Sequence, residues 1–367
     1  MKDIKEYKTH TQQGILLNAN EMSDNLSSSI LKEIQEKIVN LDFNRYPDND
    51  CIRLREDYSA LLNVRIENVL AGNGSDQILG LLIGYFLKKG KTLLTLDPDF
   101  SMYDYYCGTY DANLLKYPTR DDGSFDVENF VRYAIDNKVD MILFSNPNNP
   151  TGFLLTNEEI KVLLKQLNTI PVVIDEAYAE FAKESATELI DQFDNLYITR
   201  TLSKAYALAG ARVGFLVSNE KNIKQIHKAN VPYVLNCVSQ MIAMITLKHV
   251  EEFRNRIESI KKKRDEIDLQ IDSVSMNEDG SLTVSLGYNN PCKEKIDIGQ
   301  NNLKVTQGSA IILKNEKIET LDPGRHSNIL TAVINEKTNL CWDINDKSIQ
   351  VDGSKILKSI QGMENRA

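Results

Sequence analysis

Residues 201–214 read TLSKAYALAGARVG, a run in which one lysine stands among small and hydroxyl-bearing residues. A desolvated lysine near cationic partners has a lowered pKa, so Lys204 can act as an amine nucleophile toward an aldehyde. Thr201 and Ser203 could donate hydrogen bonds to a phosphate, and Arg212 could hold the same group through its planar guanidinium. Most lysines are solvated surface residues, but these neighbours favour a functional role for this one.

Upstream of this run, VVIDEAY at residues 172–178 is an apolar strand that ends in a carboxylate. A carboxylate in this position lies at the edge of a sheet, where open α/β folds bind ligands. Asp175 has two interpretations: it caps a following helix, or it pairs with the protonated ring nitrogen of a pyridine cofactor. In the second case, Tyr178 would hydrogen-bond the phenolic oxygen of that ring.

Two turn-rich segments also follow strand-like runs. SNPNNPTG at residues 145–152 consists of residues that tight turns prefer, but eight in succession exceed what a short connection requires. Asn149 in this segment could donate to a ring oxygen. AGNGSD at residues 71–76 leads into a helical pattern, and free backbone N–H groups at such a helix start bind phosphate. A plain helix cap explains this second segment equally well.

Composition limits the class of protein. The chain has 367 residues, of which 42% are apolar and 26% charged, as in soluble globular proteins. Its net charge of −9 argues against nucleic acid, which is held by clustered Lys and Arg. The five cysteines and four histidines are scattered, so neither a disulfide framework nor a metal site is predicted. Without a signal-peptide core or a membrane-length apolar run, we expect a cytoplasmic protein with no membrane partner.

From about residue 27 to residue 250, short β-branched runs alternate with helical patterns, which predicts an α/β domain. Several of the strand runs are apolar on both faces, as in strands covered by helices on both sides. The strand predictions are Asn68–Leu70, Thr92–Leu96, Met141–Phe144, Val172–Ile174, Tyr197–Thr199 and Val213–Val217. The helix predictions are Gln77–Lys88, Val127–Asn137, Asn157–Gln166 and one long helix from Val238 to about Ile267.

Beyond residue 268 the pattern changes to short alternating runs separated by turn residues. The predicted strands are Ser281–Leu286, Leu303–Val305, Ala310–Leu313, Leu330–Ile334 and Ser348–Val351. A helix is predicted at Ser354–Ile360, and Trp342 is expected in the core. We therefore predict an N-terminal arm at residues 1–26, a large cofactor-binding domain at residues 27–267 and a β-rich small domain at residues 268–367.

Together these motifs resemble the pyridoxal 5'-phosphate (PLP) enzymes of fold type I, and within them the group of histidinol-phosphate aminotransferase and threonine-phosphate decarboxylase. The matching segments are LNANE at 17–21, NRYPD at 44–48, GNGSDQ at 72–77, SNPNNPTG at 145–152, VIDEAY at 173–178 and TLSKAYALAGARVG at 201–214. The resemblance covers about residues 15–265. It implies PLP as cofactor and a mostly parallel seven-stranded sheet with helices on both faces.

The resemblance also implies a role for each motif residue. Lys204 would carry the cofactor as a Schiff base and then serve as general base and acid. Asp175 would pair with the pyridine nitrogen, while Asn149 and Tyr178 would bind the ring oxygen. The phosphate would lie among Gly74, Ser75, Asp76, Thr201, Ser203 and Arg212.

Three further assignments follow from the same resemblance. Phe100 in DPDFSMY would stack on the cofactor ring, with Tyr103 as the alternative. Tyr46 would reach the phosphate of a partner subunit, which implies a homodimer with shared sites. The LNANE segment would close over the substrate through Asn18 and Asn20.

The C-terminal part departs from the resemblance. The usual family carries an arginine for the substrate carboxylate in a run such as R-[IVL]-[ST]-x-G-T, which this chain lacks. After Arg264 the sequence offers Arg325, in the loop-like stretch DPGRHSN, and Arg366 near the chain end. Either Arg325 or an N-terminal donor recognises the carboxylate, or the substrate is a phosphate or phosphonate amine without one.

Three functions stay open from the sequence. The first is an aminotransferase that exchanges an amino group between a small amine or amino acid, phosphorylated amines included, and a 2-oxo acid. The second is a PLP-dependent decarboxylase or lyase of the threonine-phosphate decarboxylase type. The third is a catalytically inert binding domain. Loss of Lys204 should abolish function in the first two cases and preserve it in the third.

Overall fold

The computed structural model describes residues 19–264, 268–291, 295–345 and 347–364. These residues form two compact units that divide between Ile257 and Glu258. The first unit is α/β and the second is built mainly from antiparallel strands. The predicted α/β class and the β-rich C-terminal part are confirmed, while the predicted domain boundary at residue 268 stays a prediction.

The first unit contains seven strands and most of the helices that the structure describes. The strands are β1 (Val69–Gly72), β2 (Thr92–Asp97), β3 (Asn113–Pro118), β4 (Met141–Ser145), β5 (Val172–Asp175), β6 (Leu196–Thr201) and β7 (Gly214–Val217). The helices are α1 (Ser28–Ile38), α2 (Ile52–Leu62), α3 (Gly74–Phe86), α4 (Met102–Thr109), α5 (Val127–Asp136), α6 (Asn157–Gln166), α7 (Glu220–His227) and α8 (Cys237–Lys248). Helix α9 (Val250–Arg264) contains the point where the two units divide.

The seven strands form one sheet in the order β1-β7-β6-β5-β4-β2-β3. Strands β2 to β6 run parallel, and β7 runs antiparallel to both of its neighbours. The carboxyl ends of β1, β2, β4, β5 and β6 therefore share one edge of the sheet with the beginning of β7. Open α/β sheets bind their ligands at this edge.

Both faces of the central strands are buried, as the apolar runs predict. In β5, Val172 and Ile174 belong to one apolar cluster and Val173 belongs to the other. Successive side chains of a strand point to opposite faces, so each cluster fills the space between the sheet and one layer of helices. The first unit is thus a three-layer α/β arrangement.

Local sequence fixes where several of these helices begin. Before α6, the Thr156 hydroxyl accepts from the backbone N–H of Glu159, and the Glu159 carboxylate accepts from the N–H of Thr156. Before α5, the Asp126 carboxylate accepts from the N–H of Asn129 at 2.8 Å. Such caps satisfy N–H groups that have no partner inside the helix, which fixes the strand-to-helix connections around the sheet.

Helices α1, α2, α4 and α7 have no counterpart among the predicted helices, and two further features of the first unit differ from the sequence prediction. The single helix predicted from Val238 is wrong, because the chain leaves helical geometry at His249 and divides into α8 and α9. The His249 ring there contacts the Glu33 carboxylate of α1 at 3.1 Å. Strand β3 was not predicted, since it is a partly exposed edge strand and gives a weak apolar signal.

The second unit folds around its own apolar core, which includes the buried Trp342. Its sheets have the strand orders β12-β14-β9-β8, β11-β15-β16 and β10-β13, and all pairings are antiparallel. The strands are β8 (Asp268–Met276), β9 (Leu282–Asn290), β10 (Ile296–Asp297), β11 (Asn301–Gln307), β12 (Ile311–Asn315), β13 (Thr320–Leu321), β14 (Gly324–Ile334), β15 (Asn339–Ile344) and β16 (Lys347–Asp352), and helix α10 is Gly353–Glu364.

None of the helices in the described ranges combines the length and the hydropathy needed to cross a membrane. In the same part of the chain, the side chains of His, Cys, Asp and Glu form no group of three or more placed to hold a metal ion.

Candidate active site

A cleft opens at the edge of the sheet where the parallel strands end. Each of its walls is a strand end, a loop that follows one, or the beginning of α3. The lining residues are Ser75, Asp76, Phe100, Ser145, Asn149, Asp175, Ala177, Tyr178, Thr201, Ser203, Lys204 and Arg212. Ten of these were predicted from the sequence as site residues, so the four motifs converge on one cavity of the first unit.

Asp175 ends β5 and is buried in the cleft with 3% of its surface exposed. Its carboxylate accepts hydrogen bonds from the Thr199 hydroxyl at 2.9 Å and from the Tyr103 hydroxyl at 3.0 Å. Burial raises its pKa from 3.8 to about 6, and these two hydrogen bonds oppose that rise. No helix begins directly after Asp175, so the helix-cap interpretation is wrong.

Lys204 follows β6, and its environment agrees with a functional amine. Burial lowers its pKa, whereas the carboxylates of Asp76 and Glu21 act in the opposite direction. Its Nζ lies 5.9 Å from the centroid of the Tyr178 ring and donates to the backbone oxygen of Ala19 at 2.5 Å. A partly desolvated lysine of this kind can react as a neutral amine.

The N-terminal segment also contacts Tyr178. The side-chain amide of Asn20 donates to the Tyr178 hydroxyl at 2.9 Å. Asn20 therefore lies beside Tyr178, while its role toward the substrate stays a prediction. Asn18, the other substrate-binding candidate of this motif, lies outside the described residues.

One end of the cleft joins the beginning of a helix to an arginine. Helix α3 begins there at Gly74, which has a positive φ of 76°. Arg212 contacts the Asp76 carboxylate at 2.6 Å beside this helix start. A methyl group on Gly74 would approach the Arg212 guanidinium to 2.7 Å, and one on Gly214 would approach the N–H of Ser75 to 2.3 Å. Glycine at both positions thus lets the two segments meet around a space lined by N–H donors.

The turn after β6 holds the hydroxyl groups of this end. The Thr201 hydroxyl accepts from the N–H of Ser203 at 3.0 Å, and both residues are buried. The N–H of Leu202 donates to the Val213 oxygen at 3.0 Å. These bonds fix the backbone immediately before Lys204 against the segment that carries Arg212.

The structure separates the two aromatic candidates. Phe100 lines the cleft, whereas Tyr103 is 1% exposed and its hydroxyl donates a hydrogen bond to the Asp175 carboxylate. The two rings meet edge to face with 5.6 Å between centroids. Phe100 is therefore placed to cover a flat ligand, and Tyr103 supports the carboxylate below.

Sequence reasoning missed two polar residues beside the cleft. Thr199 precedes the TLSK motif by two residues and hydrogen-bonds Asp175. Asp99 accepts from the Ser145 hydroxyl at 2.5 Å, and burial raises its pKa to about 7. The available signal for Asp99 was its place directly after the β2 strand, the same kind of position that drew attention to Asp175.

A second carboxylate, next to Asp175, has a structural task. Glu176 pairs with the buried guanidinium of Arg200 at 2.7 Å, and Arg200 also pairs with Glu180 at 2.9 Å. The Glu176 carboxylate accepts from the N–H of Ala186 at 2.6 Å as well. This network ties β5 and β6 to the segment that follows them, and so holds the backbone on which Asp175 and Lys204 stand.

Four of the predicted site residues that the structure describes are absent from the lining of this cleft. Gly74 and Asn20 neighbour it, since they lie beside Arg212 and Tyr178. The other two have partners elsewhere. Tyr46 exposes 81% of its surface and stacks on Tyr233 with 4.5 Å between ring centroids. Arg325 belongs to the second unit, where it contacts the Asp272 carboxylate at 2.7 Å and also binds Gln270. The prediction of a loop at Arg325 is wrong, because the residue forms part of β14 and pairs with β9.

The comparisons with known proteins identify the family. Residues 12–282 match the model for aminotransferase class I and II. This chain belongs to that family. It is 36% identical over 267 residues to a histidinol-phosphate aminotransferase of Clostridium novyi (strain NT), which covers 72% of this chain and 75% of the relative. The resemblance read from the motifs is thereby confirmed.

Solved structures of the family share its fold. Histidinol-phosphate aminotransferase from Sinorhizobium meliloti in complex with pyridoxal-5'-phosphate aligns with a TM-score of 0.63 and 22% identity, covering 72% of this chain and 74% of that one. L-threonine-O-3-phosphate decarboxylase from Porphyromonas gingivalis gives a TM-score of 0.58 and 23% identity, covering 73% and 81%. At these identities the likeness shows the fold and leaves the substrate open.

The cleft of this aminotransferase fits PLP. A buried carboxylate stands at one end, where a protonated ring nitrogen would relieve the cost of burying Asp175. The beginning of α3 and Arg212 provide the anion site at the other end. Lys204 and the aromatic Phe100 line the same cavity. The donor set therefore matches a flat, phosphorylated pyridine that carries an aldehyde.

Proposed function

We propose that this protein is a PLP-dependent aminotransferase that moves an amino group between a small amine or amino acid and a 2-oxo acid. The observation that carries the proposal is the shared cleft of Lys204, Asp175 and the α3 start with Arg212. An anion site, a lysine and a buried carboxylate in one cavity are the three things that PLP requires of a protein.

When bound, PLP supplies an electron sink for the charge that develops at the substrate α-carbon. Lys204 is the group that we propose to hold it covalently through Nζ. Because burial lowers its pKa, a larger fraction of Nζ is neutral than in a solvated lysine. The same nitrogen, once free, can take a proton from the substrate α-carbon and return it as general base and acid.

Asp175 is proposed to hold the proton on the ring nitrogen. With a pKa of about 6, its carboxylate is mainly ionised at neutral pH and would accept a hydrogen bond from that nitrogen. Thr199 and Tyr103 donate to its two oxygens and so keep it oriented. Asn149 and Tyr178, on the neighbouring loops, are the proposed donors to the ring oxygen.

The proposed phosphate site consists of backbone and side-chain donors. Helix α3 begins at the cleft, which Ser75 and Asp76 line, and the free backbone N–H groups of its first turn carry the positive end of the helix dipole. The hydroxyls of Thr201 and Ser203 and the Arg212 guanidinium complete the set. Arg212 is partly balanced by Asp76, so backbone donors have the larger share of the binding.

The cleft supports a substrate without an α-carboxylate. Among its lining residues that the structure describes, the cations are Lys204 and Arg212, and both have proposed roles toward the cofactor. Burying a carboxylate without a cationic partner is costly. We therefore propose small amines without an α-carboxylate as the favoured donors. A phosphate or phosphonate amine among them needs a cation beyond these two for its own anionic group.

We also propose a homodimer in which Tyr46 completes the phosphate site of the partner subunit. Tyr46 and its stacking partner Tyr233 are exposed, and so are the apolar side chains of Val39, Phe43 and Val231 around them in sequence. Exposed apolar groups of this kind favour a protein interface. From such an interface, the hydroxyl of Tyr46 can extend into the partner subunit.

The absorbance spectrum of the PLP-reconstituted protein tests the activity. It is recorded before and after single donors are added: glutamate, histidinol phosphate, phosphothreonine and aminoethylphosphonate. We expect a visible band that an amine donor converts to the amino form of the cofactor. A band that bleaches with release of CO2 would instead support the decarboxylase alternative, and robust conversion by glutamate alone would contradict the substrate proposal. No PLP band at all would favour an inert domain.

Mixing two inactive variants tests the shared site. Lys204→Ala and Tyr46→Ala damage different parts of the proposed site, which in a shared dimer come from different subunits. The mixture should then regain up to about a quarter of the activity of the wild type, because about half of the dimers are hybrids and one of the two sites in each hybrid is intact. A monomer in sedimentation, or no recovery on mixing, would contradict the shared site.

A further inference from the structure

Asp99 bridges the ends of two neighbouring strands beside the cleft. Its carboxylate accepts from the Ser145 hydroxyl at 2.5 Å and from the Ser145 N–H at 3.2 Å. It also accepts from the N–H of Phe100 at 2.8 Å and from the Thr95 hydroxyl at 3.3 Å. One side chain thus connects the end of β2 to the end of β4, although it is absent from the lining of the cleft itself.

The contact continues through Ser145 to the Asn149 loop. Because the Ser145 hydroxyl donates its proton to Asp99, its oxygen lone pairs face the loop and accept the N–H of Asn149 at 2.9 Å. The side-chain amide of Asn148 donates to the same oxygen at 3.4 Å. The carboxylate therefore sets the direction of a hydroxyl that in turn holds the backbone of Asn149.

Phe100 and Asn149 are the two cleft residues that Asp99 connects. One is the aromatic wall and the other the proposed donor to the ring oxygen, and they belong to different loops of the first unit. Their relative placement fixes where the cofactor ring lies with respect to its oxygen donor. A shift of a few tenths of an ångström in the loop would lengthen that hydrogen bond and weaken it.

We propose that Asp99 is a positioning residue of the active site, which fixes Asn149 relative to Phe100 by way of Ser145. The proposal rests on the function proposed above, since it concerns the same cofactor. It goes further in assigning the role to a residue that does not line the cleft and that was not among the predicted site residues. Its effect acts through Asn149 and should therefore disappear when Asn149 has already been lost.

The fold offers a matched control at the opposite end of the same two strands. Asp140 lies just before β4, where its carboxylate accepts from the N–H of Thr92 at 2.8 Å and pairs with Lys91 at 2.7 Å. Like Asp99, it ties β2 to β4 through backbone and side-chain donors. Unlike Asp99, it stands at the edge of the sheet away from the cleft. It therefore has in common with Asp99 only the joining of β2 to β4.

The experiment compares Asp99→Ala, the isosteric Asp99→Asn, Asn149→Ala and Asp140→Ala, each reconstituted with PLP. The PLP dissociation constant and the pH titration of the visible absorbance are measured, with thermal unfolding of each cofactor-free protein as the stability readout. We expect Asp99→Ala to weaken PLP binding about tenfold, which is the scale of one charge-assisted hydrogen bond. It should also shift the titration in the same direction as Asn149→Ala.

The controls separate positioning from general stability. Asp140→Ala should lower the unfolding temperature to a similar extent but leave PLP affinity within about twofold of wild type. Asp99→Asn should fold and give an intermediate shift, and the double variant with Asn149→Ala should shift the titration no further than Asn149→Ala. If Asp99→Ala and Asp140→Ala had equal PLP affinities and equal absorbance titrations, the positioning role of Asp99 would be overturned. Failure of the wild type to bind PLP would overturn the proposed function together with it.

Discussion

The two units of this chain bury their strands in different ways. In the first unit, β5 is buried along its whole length because the parallel sheet is covered on both faces. In the second unit, β15 alternates between buried and partly exposed positions, since an antiparallel sheet covers one face. The carboxyl ends of parallel strands lie at the same edge of the sheet, whereas the carboxyl ends of antiparallel strands alternate between its two opposite edges. The polar groups of the first unit therefore converge on a cleft.

The polar groups of the second unit are used along its strands instead. Arg325 on β14 pairs with Asp272 on β8, which stabilises the sheet on which both lie. The match to the aminotransferase family ends at residue 282, the first residue of β9. The match thus covers most of the first unit and only the beginning of the second, and we predict that catalysis depends mainly on the first unit.

The single tryptophan makes this comparison measurable. Trp342 is the one tryptophan of the sequence, and it is 1% exposed in the core of the second unit. Its fluorescence reports the second unit, while the absorbance of bound PLP reports the cleft of the first. Each variant below is therefore expected to change one signal and to spare the other.

The largest effect is expected at Lys204. Lys204→Ala should lower the turnover rate by at least about 10³-fold, because the variant loses both the covalent hold and the general base. Stopped-flow or coupled assays with the active donor measure this rate. Lys165→Ala, on the exposed face of α6, is the control and should keep full activity. Unchanged turnover without Lys204 would mean that catalysis is located elsewhere.

The buried pair beside the cleft should give the next effect. Arg200→Ala leaves the Glu176 and Glu180 carboxylates buried without a cation, which is expected to cost about 3–5 kcal/mol of unfolding free energy. Urea unfolding of the cofactor-free protein, followed by far-UV circular dichroism, measures the loss. Lys224→Ala, which removes an exposed pair with Glu220, should change little. A large shift in the Trp342 transition as well would contradict the independence of the two units.

Asp175 should make stability depend on pH. Since burial raises its pKa from 3.8 to about 6, the native carboxyl binds its proton more tightly than the unfolded one. The native state then holds more protons between about pH 4 and pH 6, so its stability falls as the pH rises through that window. Asp175→Asn removes the titration. In cofactor-free protein, the unfolding free energy of the variant minus that of the wild type should be up to about 3 kcal/mol larger at pH 8 than at pH 4.

Urea unfolding of both proteins across this pH range measures the difference. Contributions from titrating groups that do not interact with Asp175 cancel when the two curves are subtracted. Asp99 does not cancel fully, because the Asp175 charge contributes to its raised pKa. Asp140→Asn, at the other end of the sheet, controls for the amide substitution. A difference that stays constant with pH would show that the Asp175 carboxyl keeps an ordinary pKa when the cofactor is absent.

The smallest effect is expected in the second unit. Arg325→Ala breaks a partly exposed pair with Asp272, which is worth up to about 1 kcal/mol. The loss should appear in the Trp342 fluorescence transition and in a double-mutant cycle with Asp272→Ala. The KM for the donor should stay within about twofold of wild type. A KM raised tenfold or more would assign Arg325 to the substrate carboxylate and remove the contrast between the units.

Much of the first unit follows from the sequence alone. Runs such as VVID at β5 are apolar on both faces, and the polar residue that ends each run marks the edge where the ligand binds. The sequence could not predict the contacts between motifs. The contact of Tyr103 with Asp175 joins residues 72 positions apart, and only the fold brings them together.

The wrong predictions at His249 and Arg325, and the failure to predict Asp99, have physical causes. The break at His249 has no Gly or Pro, so the helical pattern continues through it in the sequence. Strand β14 contains a register shift between His326 and Leu330, which interrupts its alternation and makes the stretch around Arg325 resemble a loop. Asp99 was passed over because a lone aspartate in a turn is common, and its role depends on Ser145 from another strand.

The most direct test of the account is to locate the cofactor on the chain. The protein is reconstituted with PLP and reduced with borohydride, which makes a PLP–lysine linkage permanent, and its peptides are then mapped by mass spectrometry. The account predicts a phosphopyridoxyl group on Lys204 and none on Lys204→Ala. Stoichiometric labelling of a different lysine, or no labelled peptide in protein shown to be folded, would contradict it.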